Sequence, residues 1–213
     1  MSIIALSANV IQSSDSWLAS HISAVQNPIL TKASLVITFL GSWIAIVAFA
    51  IIFIIYSLFK KDKPKGKPAK PDIISAVFFP CTLIIAELLV LLIKNIVQRA
   101  RPVGRLIVET DFSFPSGHAA VSMALALALF FILKDKLFLD DKLIEKKKRI
   151  KKILLFAALM IYPLLIGLSR IYLNVHWLSD VLAGWLLGVF VTMIMVMIRH
   201  HFTAKKSSPA IKN

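Results

Sequence analysis

The sequence is poor in several features on which secreted and disordered proteins depend. Cys81 is the only cysteine among 213 residues, so no disulfide framework within the chain can stabilise the fold. Glycine (7) and proline (9) are too rare for a collagen-like or low-complexity chain. Acidic residues are also scarce, with 11 Asp and Glu against 25 Lys and Arg, a formal net charge of +14. A basic excess of this size indicates an anionic partner, either a nucleic acid or a membrane surface.

Apolar residues are what the chain has in excess. They make up 58% of the sequence, and the mean hydropathy is +0.81, whereas soluble domains contain roughly 45–50%. A helix needs about 20 such residues to cross a bilayer. Five segments meet or approach this requirement: Ala33–Phe59, Ile73–Ile93, Phe112–Leu133, Ile153–Ser169 and Val181–Ile198. We therefore predict an all-α, multi-pass helical bundle in the cell membrane, with residues 33–199 as its transmembrane domain.

The first 32 residues are too polar for an ordinary span. Their polar side chains include Asn9, Gln12, Ser13, Ser14 and Asp15. We expect an interfacial amphipathic segment here, anchored by Trp17, Leu18 and Ile22, and a sixth span stays open as the alternative. No Lys or Arg precedes the short apolar stretch Ile3–Leu6, which argues against a signal peptide.

Most of the cations fall on one side of the predicted membrane. If the five spans alternate in direction, Lys60–Asp72, Lys134–Lys152 and the tail from Arg199 share that side, with six, nine and four cations. The positive-inside rule places these segments, including the basic tail 200–213, in the cytoplasm. Attraction to anionic lipids explains them better than nucleic-acid binding, because no aromatic residues interleave with the charges.

Six cations remain on the outer side, where the same rule disfavours them: Lys32, Lys94, Arg99, Arg101, Arg105 and Arg170. One explanation is that each of them snorkels to lipid headgroups. The other is a shared anion. Lys94 and Arg101 lie nearly two helical turns apart, and Arg170 ends another span, so the three together could surround one anionic group.

Two histidines lie near these cations. His118 follows a Pro-Ser-Gly turn at the start of span three, where Ser116 suits an N-cap and free backbone N–H groups could hold phosphate oxygens. His176 precedes Asp180 by four residues, and a carboxylate at that spacing can orient an imidazole. Two imidazoles beside cations suit phosphoryl transfer, one attacking phosphorus and the other protonating the leaving oxygen. The surrounding cations would repel a divalent ion, so we predict no metal and no cofactor.

Other polar and small residues point less clearly to a role. Glu87 lies inside a span, where it could pair with a cation, line a lipid entrance or be protonated between helices. Glu109 and Asp111, on the outer loop, could limit access to the site or contact a lipid headgroup, but we expect them to be solvated. Gly184 and Gly188 form a G-x-x-x-G pattern that favours close helix contact, either within the chain or between two copies.

Three blocks of residues resemble the signature of the type 2 phosphatidic acid phosphatase superfamily, which includes bacterial lipid phosphatases and whose site the vanadium haloperoxidases share. The blocks are Lys94-x6-Arg101-Pro102, Pro115-Ser116-Gly117-His118 and Ser169-Arg170-x5-His176-x3-Asp180. Eleven positions match in order between Lys94 and Asp180. The membrane branch of this superfamily commonly has six spans, one more than we predict.

The resemblance implies a role for each matched residue. His176 would be the nucleophile that forms a phosphohistidine, Asp180 would hold its tautomer, and His118 would be the general acid. The phosphoryl oxygens would be bound by Lys94, Arg101, Ser116, the Gly117 backbone and Arg170. The superfamily is metal-independent, which agrees with the charge pattern, and our topology places all three blocks on the outer, extracytoplasmic side.

These residues lead to one favoured function and two alternatives. The favoured one is a membrane phosphatase acting on a lipid phosphate, with undecaprenyl diphosphate or phosphatidylglycerophosphate preferred and phosphatidic acid possible. The first alternative is a phosphotransferase that uses the same phosphohistidine. The second is an anion channel or transporter, which spans one, three and five disfavour because they carry no charged residue for a polar path. The bilayer is then the chain's surroundings, and its oligomeric state stays open.

Overall fold

The computed structural model describes residues 3–59, 61–62, 70–71, 73–137 and 145–207. Within these ranges the chain forms seven helices: α1 (Ile3–Ala24), α2 (Pro28–Leu40), α3 (Trp43–Phe59), α4 (Ile73–Val97), α5 (Gly117–Leu137), α6 (Glu145–Tyr172) and α7 (Leu178–Ser207). A two-residue antiparallel pair, β1 (Lys61–Asp62) and β2 (Lys70–Pro71), lies between α3 and α4. The predicted all-α membrane bundle is confirmed.

The membrane-spanning helices differ from the prediction at one place. Among the residues that the structure describes, four segments are long and apolar enough to cross a bilayer: Ala76–Val97, Gly117–Lys134, Arg149–Tyr172 and Leu178–Phe202. A fifth span exists only if α2 and α3 count together, and they are bent by 44°. The prediction of one uninterrupted span over Ala33–Phe59 is therefore wrong.

The break at Gly41 follows from packing against the neighbouring helices. A Cβ atom at Gly41 would lie 2.8 Å from Ile166 Cγ2 and 3.3 Å from His118 Cδ2. Only glycine allows the backbone to come this close to α6 and α5. The backbone N–H of Gly41 donates to Thr38 O and closes the last turn of α2. Gly41-Ser42 is the local signal at this point, but the segment has no charged residue, so apolar length did not predict the break.

Helix α5 lies at the centre of the bundle and packs against α4, α6 and α7. Small residues dominate its buried faces, and Ala119, Ala120, Ala124, Ala126 and Ala128 are completely buried. Small side chains let neighbouring backbones approach closely, which provides the dispersion contacts that hold membrane helices together.

The closest approach to α5 is made by the two glycines of α7. A Cβ at Gly184 would lie 2.5 Å from Ser116 O, and a Cβ at Gly188 would lie 2.4 Å from Ala120 O. Both obstacles are backbone atoms, which cannot rotate away as a side chain can. The sequence left open whether this glycine pair contacts a helix of the same chain or of a second copy. In the structure it contacts α5 and the residue before it in the same chain.

Gly188→Ala should therefore destabilise the fold. The added methyl group forces α5 and α7 apart, and overpacking of this kind costs about 1–3 kcal/mol. The measurement is the thermal unfolding midpoint in detergent. Leu186→Ala, on the lipid-exposed face of the same helix, is the matched control and should shift the midpoint less. A larger shift in Leu186→Ala than in Gly188→Ala would contradict the packing described here.

Helix α1 lies against the end of the bundle where α6 ends and α7 begins. Of its three predicted anchors, Leu18 and Ile22 pack against a buried cluster of bundle residues, while Trp17 remains exposed. Gln26 Nε2 donates to Tyr172 O at 3.1 Å and ties the following turn to α6. The α1 helix is not among the segments apolar enough to span the bilayer.

The basic segments that determine the predicted orientation are only partly described. Residues 60, 63–69, 72, 138–144 and 208–213 lie outside the described ranges. Part of the segment Lys134–Lys152 and of the tail from Arg199 extends α6 and α7 as helix. Which face of the membrane these segments occupy stays a prediction.

Candidate active site

The ends of four helices meet at one side of the bundle. Helices α4 and α6 end there, α5 and α7 begin there, and residues 98–116 and 173–177 connect them. The structure brings all eight predicted site residues to this place: Lys94, Arg101, Ser116, Gly117, His118, Arg170, His176 and Asp180. They come from four helices and two connections, so only the folded bundle assembles them.

His176 and Asp180 form the centre of this cluster. His176 is 3% exposed and Asp180 is fully buried. His176 Nδ1 faces Asp180 Oδ2 at 3.5 Å and has no hydrogen-bond partner in the part of the chain that the structure describes. The opposite ring nitrogen, Nε2, lies 3.2 Å from Arg101 Nη1. The ring therefore directs one nitrogen at a carboxylate and the other at a cation that could bind an anion.

Asp180 is held by several donors at once. Its Oδ2 accepts hydrogen bonds from Ser113 Oγ and from the backbone N–H of Trp177, the latter at 3.0 Å. Its Oδ1 accepts from Arg99 Nη1 at 2.6 Å. A carboxylate with this many donors stays ionised and has little freedom to rotate.

Burial, together with the charges of Arg170 and Arg101, lowers the pKa of His176 to about 4, although Asp180 opposes this shift. An imidazole with this pKa is neutral at pH 7. A neutral ring has a free lone pair on one nitrogen, which is what a nucleophile requires.

Two carboxylates form ion pairs with the three cations of the site in this structure. Lys94 Nζ donates to Asp111 Oδ2 at 2.6 Å, Arg101 donates to the other oxygen of Asp111, and Arg170 donates to Glu109. The expectation that these acids are simply solvated is wrong for Glu109, whereas Asp111 pairs with two cations and still keeps 50% of its side chain exposed. The side chains of these three cations are buried and need anions nearby, and the connection from α4 to α5 supplies them.

The carboxyl group of Asp111 is ionised over the whole working range of pH. Burial alone would raise its pKa, but hydrogen bonds and charge from Lys94 and Arg101 outweigh burial and lower the pKa to about 2. Asp111 therefore competes with any anion that approaches these two cations.

Some buried donors at the site have no protein acceptor. Ser116 is completely buried, and within the described ranges its Oγ has no hydrogen-bond partner; the same holds for Arg170 Nε. The expected N-cap by the Ser116 hydroxyl is not formed; the backbone oxygen of Ser116 instead accepts from Ala120 N at 3.0 Å. Buried donors without acceptors are costly, and oxygens of a bound anion could satisfy them.

A cavity of about 340 Å³ connects the site to the outside of the bundle. At its polar end it is lined by Lys94, Glu109, Asp111, Gly117, His118 and His176. At its other end it is lined by Trp43, Ile46, Val47, Leu83, Ile84 and Leu88 of α3 and α4. Glu87 also lines this cavity, which agrees with one of the three roles that the sequence left open for it, that of lining a lipid entrance. The shape suits a ligand with an anionic head and an apolar chain.

Four further residues of the site were not identified from the sequence. Thr38 accepts from Arg170 Nη1 at 3.0 Å, and Ser113 donates to Asp180. Arg99 and Asp15 form an ion pair beside Asp180. Only two of them had a signal in the sequence. Arg99 is one of the six outer-side cations, and Asp15 is the single acidic residue among the first 61 residues.

Residues 75–204, which include all eight site residues, match the PAP2 superfamily. The chain belongs to the PAP2 superfamily. Among its PAP2 relatives, phosphatidylglycerophosphatase B of Bacillus subtilis is 26% identical over 90% of this chain and 86% of its own length. An undecaprenyl-diphosphatase of Sulfolobus acidocaldarius is 30% identical over 48% of this chain and 41% of its own length.

Two solved structures show the same fold. The crystal structure of a transmembrane PAP2-type phosphatidylglycerolphosphate phosphatase from Bacillus subtilis matches with a TM-score of 0.74 and 24% identity, over 95% of this chain and 90% of that one. The Aquifex aeolicus protein LpxE matches with a TM-score of 0.62 and 21% identity, over 86% of this chain and 94% of that one. Together, the superfamily match and the sequence relatives support a lipid phosphatase activity for this multi-pass membrane protein.

Proposed function

We propose that this chain hydrolyses a phosphate or diphosphate monoester of a lipid at the extracytoplasmic face of the membrane, through a phosphohistidine on His176. One observation carries the proposal: His176, which pairs with the buried Asp180, lines a cavity whose wall also contains apolar side chains of α3 and α4. The lipid chain would lie along the apolar end, and its phosphate would reach the histidine.

In the binding step, the phosphate displaces the two carboxylates from the cations. Lys94 and Arg101 exchange Asp111 for phosphate oxygens, and Arg170 exchanges Glu109. The unpartnered Ser116 Oγ and the Gly117 backbone N–H at the start of α5 add further donors. Because the phosphate replaces the carboxylates, the charges of these cations are neutralised both before and after the substrate binds.

The chemistry then follows in two steps. The Nε2 lone pair of His176 attacks the terminal phosphorus, and the bond from this phosphorus to the leaving oxygen breaks. That oxygen belongs to the lipid alcohol in a monophosphate and is the bridging oxygen in a diphosphate, and His118 gives it a proton. Asp180 stabilises the imidazolium that forms. Water next attacks the phosphohistidine, His118 takes its proton back, and inorganic phosphate leaves. The cations stabilise the charge on phosphorus in both transition states, so we expect no metal or other cofactor to be needed.

The preferred substrates are undecaprenyl diphosphate and phosphatidylglycerophosphate, with phosphatidic acid as a third candidate. The names of the Bacillus and Sulfolobus relatives support the first two. We further propose that residues 1–32 lie at the interface, that residues 33–199 form the transmembrane phosphatase domain, and that the tail 200–213 is cytoplasmic. The positive-inside rule supports this orientation.

The test is phosphate release by the purified protein in detergent with EDTA present. The three lipids are supplied separately, and His176→Ala serves as the blank. Release from at least one lipid, absent in the variant, is the expected result. Loss of activity in EDTA that a divalent ion restores would overturn the metal-independent mechanism. Phosphate transfer that occurs only after an acceptor alcohol is added would replace the hydrolase by a phosphotransferase.

Asp111→Asn should tighten the binding of inorganic phosphate. The amide no longer competes as an anion for Lys94 and Arg101, so the inhibition constant of phosphate as a competitive product inhibitor should fall about tenfold, equivalent to roughly 1.4 kcal/mol. Inhibition is measured at constant ionic strength. Val108→Ala, at an exposed position of the same connection, should leave the constant unchanged. Weaker phosphate inhibition in Asp111→Asn would show that this carboxylate supports anion binding instead of opposing it.

A further inference from the structure

Helix α1 carries a buried carboxylate. Asp15 is only 3% exposed, although it lies in a segment that the sequence assigns to the membrane interface. Burying an ionised carboxylate costs several kcal/mol unless charged or polar partners compensate. A single acid placed in this way therefore requires a structural or functional reason, and its partners indicate which one applies.

The partners of Asp15 all lie next to the proposed catalytic pair. Asp15 Oδ1 accepts from the backbone N–H of Ser179 at 3.0 Å, and Oδ2 accepts from Ser179 Oγ. Oδ2 also accepts from Arg99 Nη2 at 2.7 Å. Ser179 immediately precedes Asp180 in the first turn of α7. Asp15 thus contacts both the backbone beside Asp180 and the cation that binds it.

Arg99 joins the two carboxylates through opposite ends of its guanidinium group. Nη2 binds Asp15, and Nη1 binds Asp180 Oδ1 at 2.6 Å and Ser179 Oγ at 2.7 Å. The guanidinium also lies over the ring of Trp177, 5.4 Å from its centroid. A planar, rigid fork held in this way fixes the geometry of both acids. The other carboxylate oxygen of Asp180, Oδ2, then faces His176 Nδ1.

We propose that Asp15 is a positioning residue for Asp180, acting through Arg99 and Ser179. The inference rests on the proposed roles of His176 and Asp180. With Asp15 present, the positive charge of Arg99 is shared between two carboxylates, and Asp180 keeps enough negative charge to stabilise the imidazolium of His176. Without it, Arg99 is held only from one side and pairs with Asp180 alone, which weakens that stabilisation.

The arrangement predicts an effect on turnover and not on substrate binding. Asp15 does not line the cavity that would hold the lipid phosphate. The docking of α1 has other supports, namely the apolar contacts of Leu18 and Ile22 and the hydrogen bond from Gln26 to Tyr172 O. If Asp15 only holds α1 against the bundle, its replacement should resemble the replacement of Gln26, which also holds this segment. If Asp15 positions Asp180, only the replacement of Asp15 should lower turnover.

The experiment compares Asp15→Asn with Gln26→Ala in the full-length protein. For each variant kcat, KM and the thermal unfolding midpoint are measured in detergent. We expect Asp15→Asn to lower kcat about tenfold, the effect of losing one charge-assisted hydrogen bond, with KM within about twofold of wild type. Gln26→Ala should keep wild-type kcat. Arg99→Gln should also lower kcat, and the double variant Asp15→Asn with Arg99→Gln should lose less kcat than the product of the two single losses.

Three outcomes overturn the inference. Wild-type kcat in Asp15→Asn, with activity still abolished in His176→Ala, overturns it and leaves the proposed function intact. Equal losses of kcat and of thermal stability in Asp15→Asn and Gln26→Ala reduce Asp15 to a docking residue. Turnover that survives in His176→Ala overturns the proposed function and, with it, this inference.

Discussion

Replacing His176 with alanine should abolish phosphate release. Alanine cannot form the phosphohistidine, and the remaining groups can only bind the substrate. The loss of a nucleophile from an assembled site costs at least about 10⁴-fold in kcat. The folded bundle should persist, because His176 lies on a connection between α6 and α7 and belongs to no helix. Turnover and the thermal unfolding midpoint are measured on the same preparation.

The control for this variant is His201→Ala. His201 is an exposed histidine near the far end of α7, and its replacement should leave turnover unchanged. Quenching a reaction with labelled substrate in alkaline detergent, and then acidifying part of the sample, provides the direct test, since a phosphohistidine survives alkali but not acid, whereas a phosphoserine survives the acid. Wild type and His201→Ala should show an acid-labile label and His176→Ala none. A label on another residue would reassign the nucleophile.

Replacing His118 with alanine should have an effect that depends on the leaving group. A lipid alkoxide leaves poorly without a proton, so loss of the general acid should slow lipid hydrolysis by about 10²–10⁴-fold. A nitrophenolate leaves without protonation, so the first step with nitrophenyl phosphate should proceed nearly as in wild type. The second step still needs His118 to take a proton from water, and the phosphohistidine should therefore accumulate.

This variant separates a proton donor from a phosphate-binding residue. The measurement is a rapid-mixing burst of nitrophenolate together with the amount of labelled enzyme, compared for wild type, His118→Ala and His176→Ala. A burst followed by slow turnover in His118→Ala supports the role as acid and base. Equal loss with the lipid and with nitrophenyl phosphate, without accumulation of phosphoenzyme, would make His118 a binding residue only.

The site could be predicted from the sequence because its residues lie at the ends of spans. A span is recognised by its apolar length, and its end determines at which surface a flanking residue lies. Lys94, His118, Arg170 and Asp180 each lie within the last or first turns of such a helix. Once the spans were assigned, these residues had to meet at one side of the bundle. The superfamily match agrees with that assignment.

The partners of these residues could not be predicted in the same way. Arg99 and Asp15 are 84 residues apart, and Arg170 and Glu109 are 61 residues apart. Neither pair lies within one helix or one turn, so no periodicity links them. Charge alone suggested solvated acids for Glu109 and Asp111, because an acid on a polar connection is usually exposed. Only the approach of three cations from three different elements explains why these carboxylates are paired.

By itself, the sequence determined the membrane bundle, four of its spans and the superfamily, and it predicted the eight residues of the proposed site, because apolar length and a spaced motif are local properties of the chain. The tertiary structure alone decided the break at Gly41, the use of Gly184 and Gly188 within the chain, and the pairing of Asp15, Glu109 and Asp111. These features depend on contacts between segments distant in sequence, where close packing and the burial of charge select the partner.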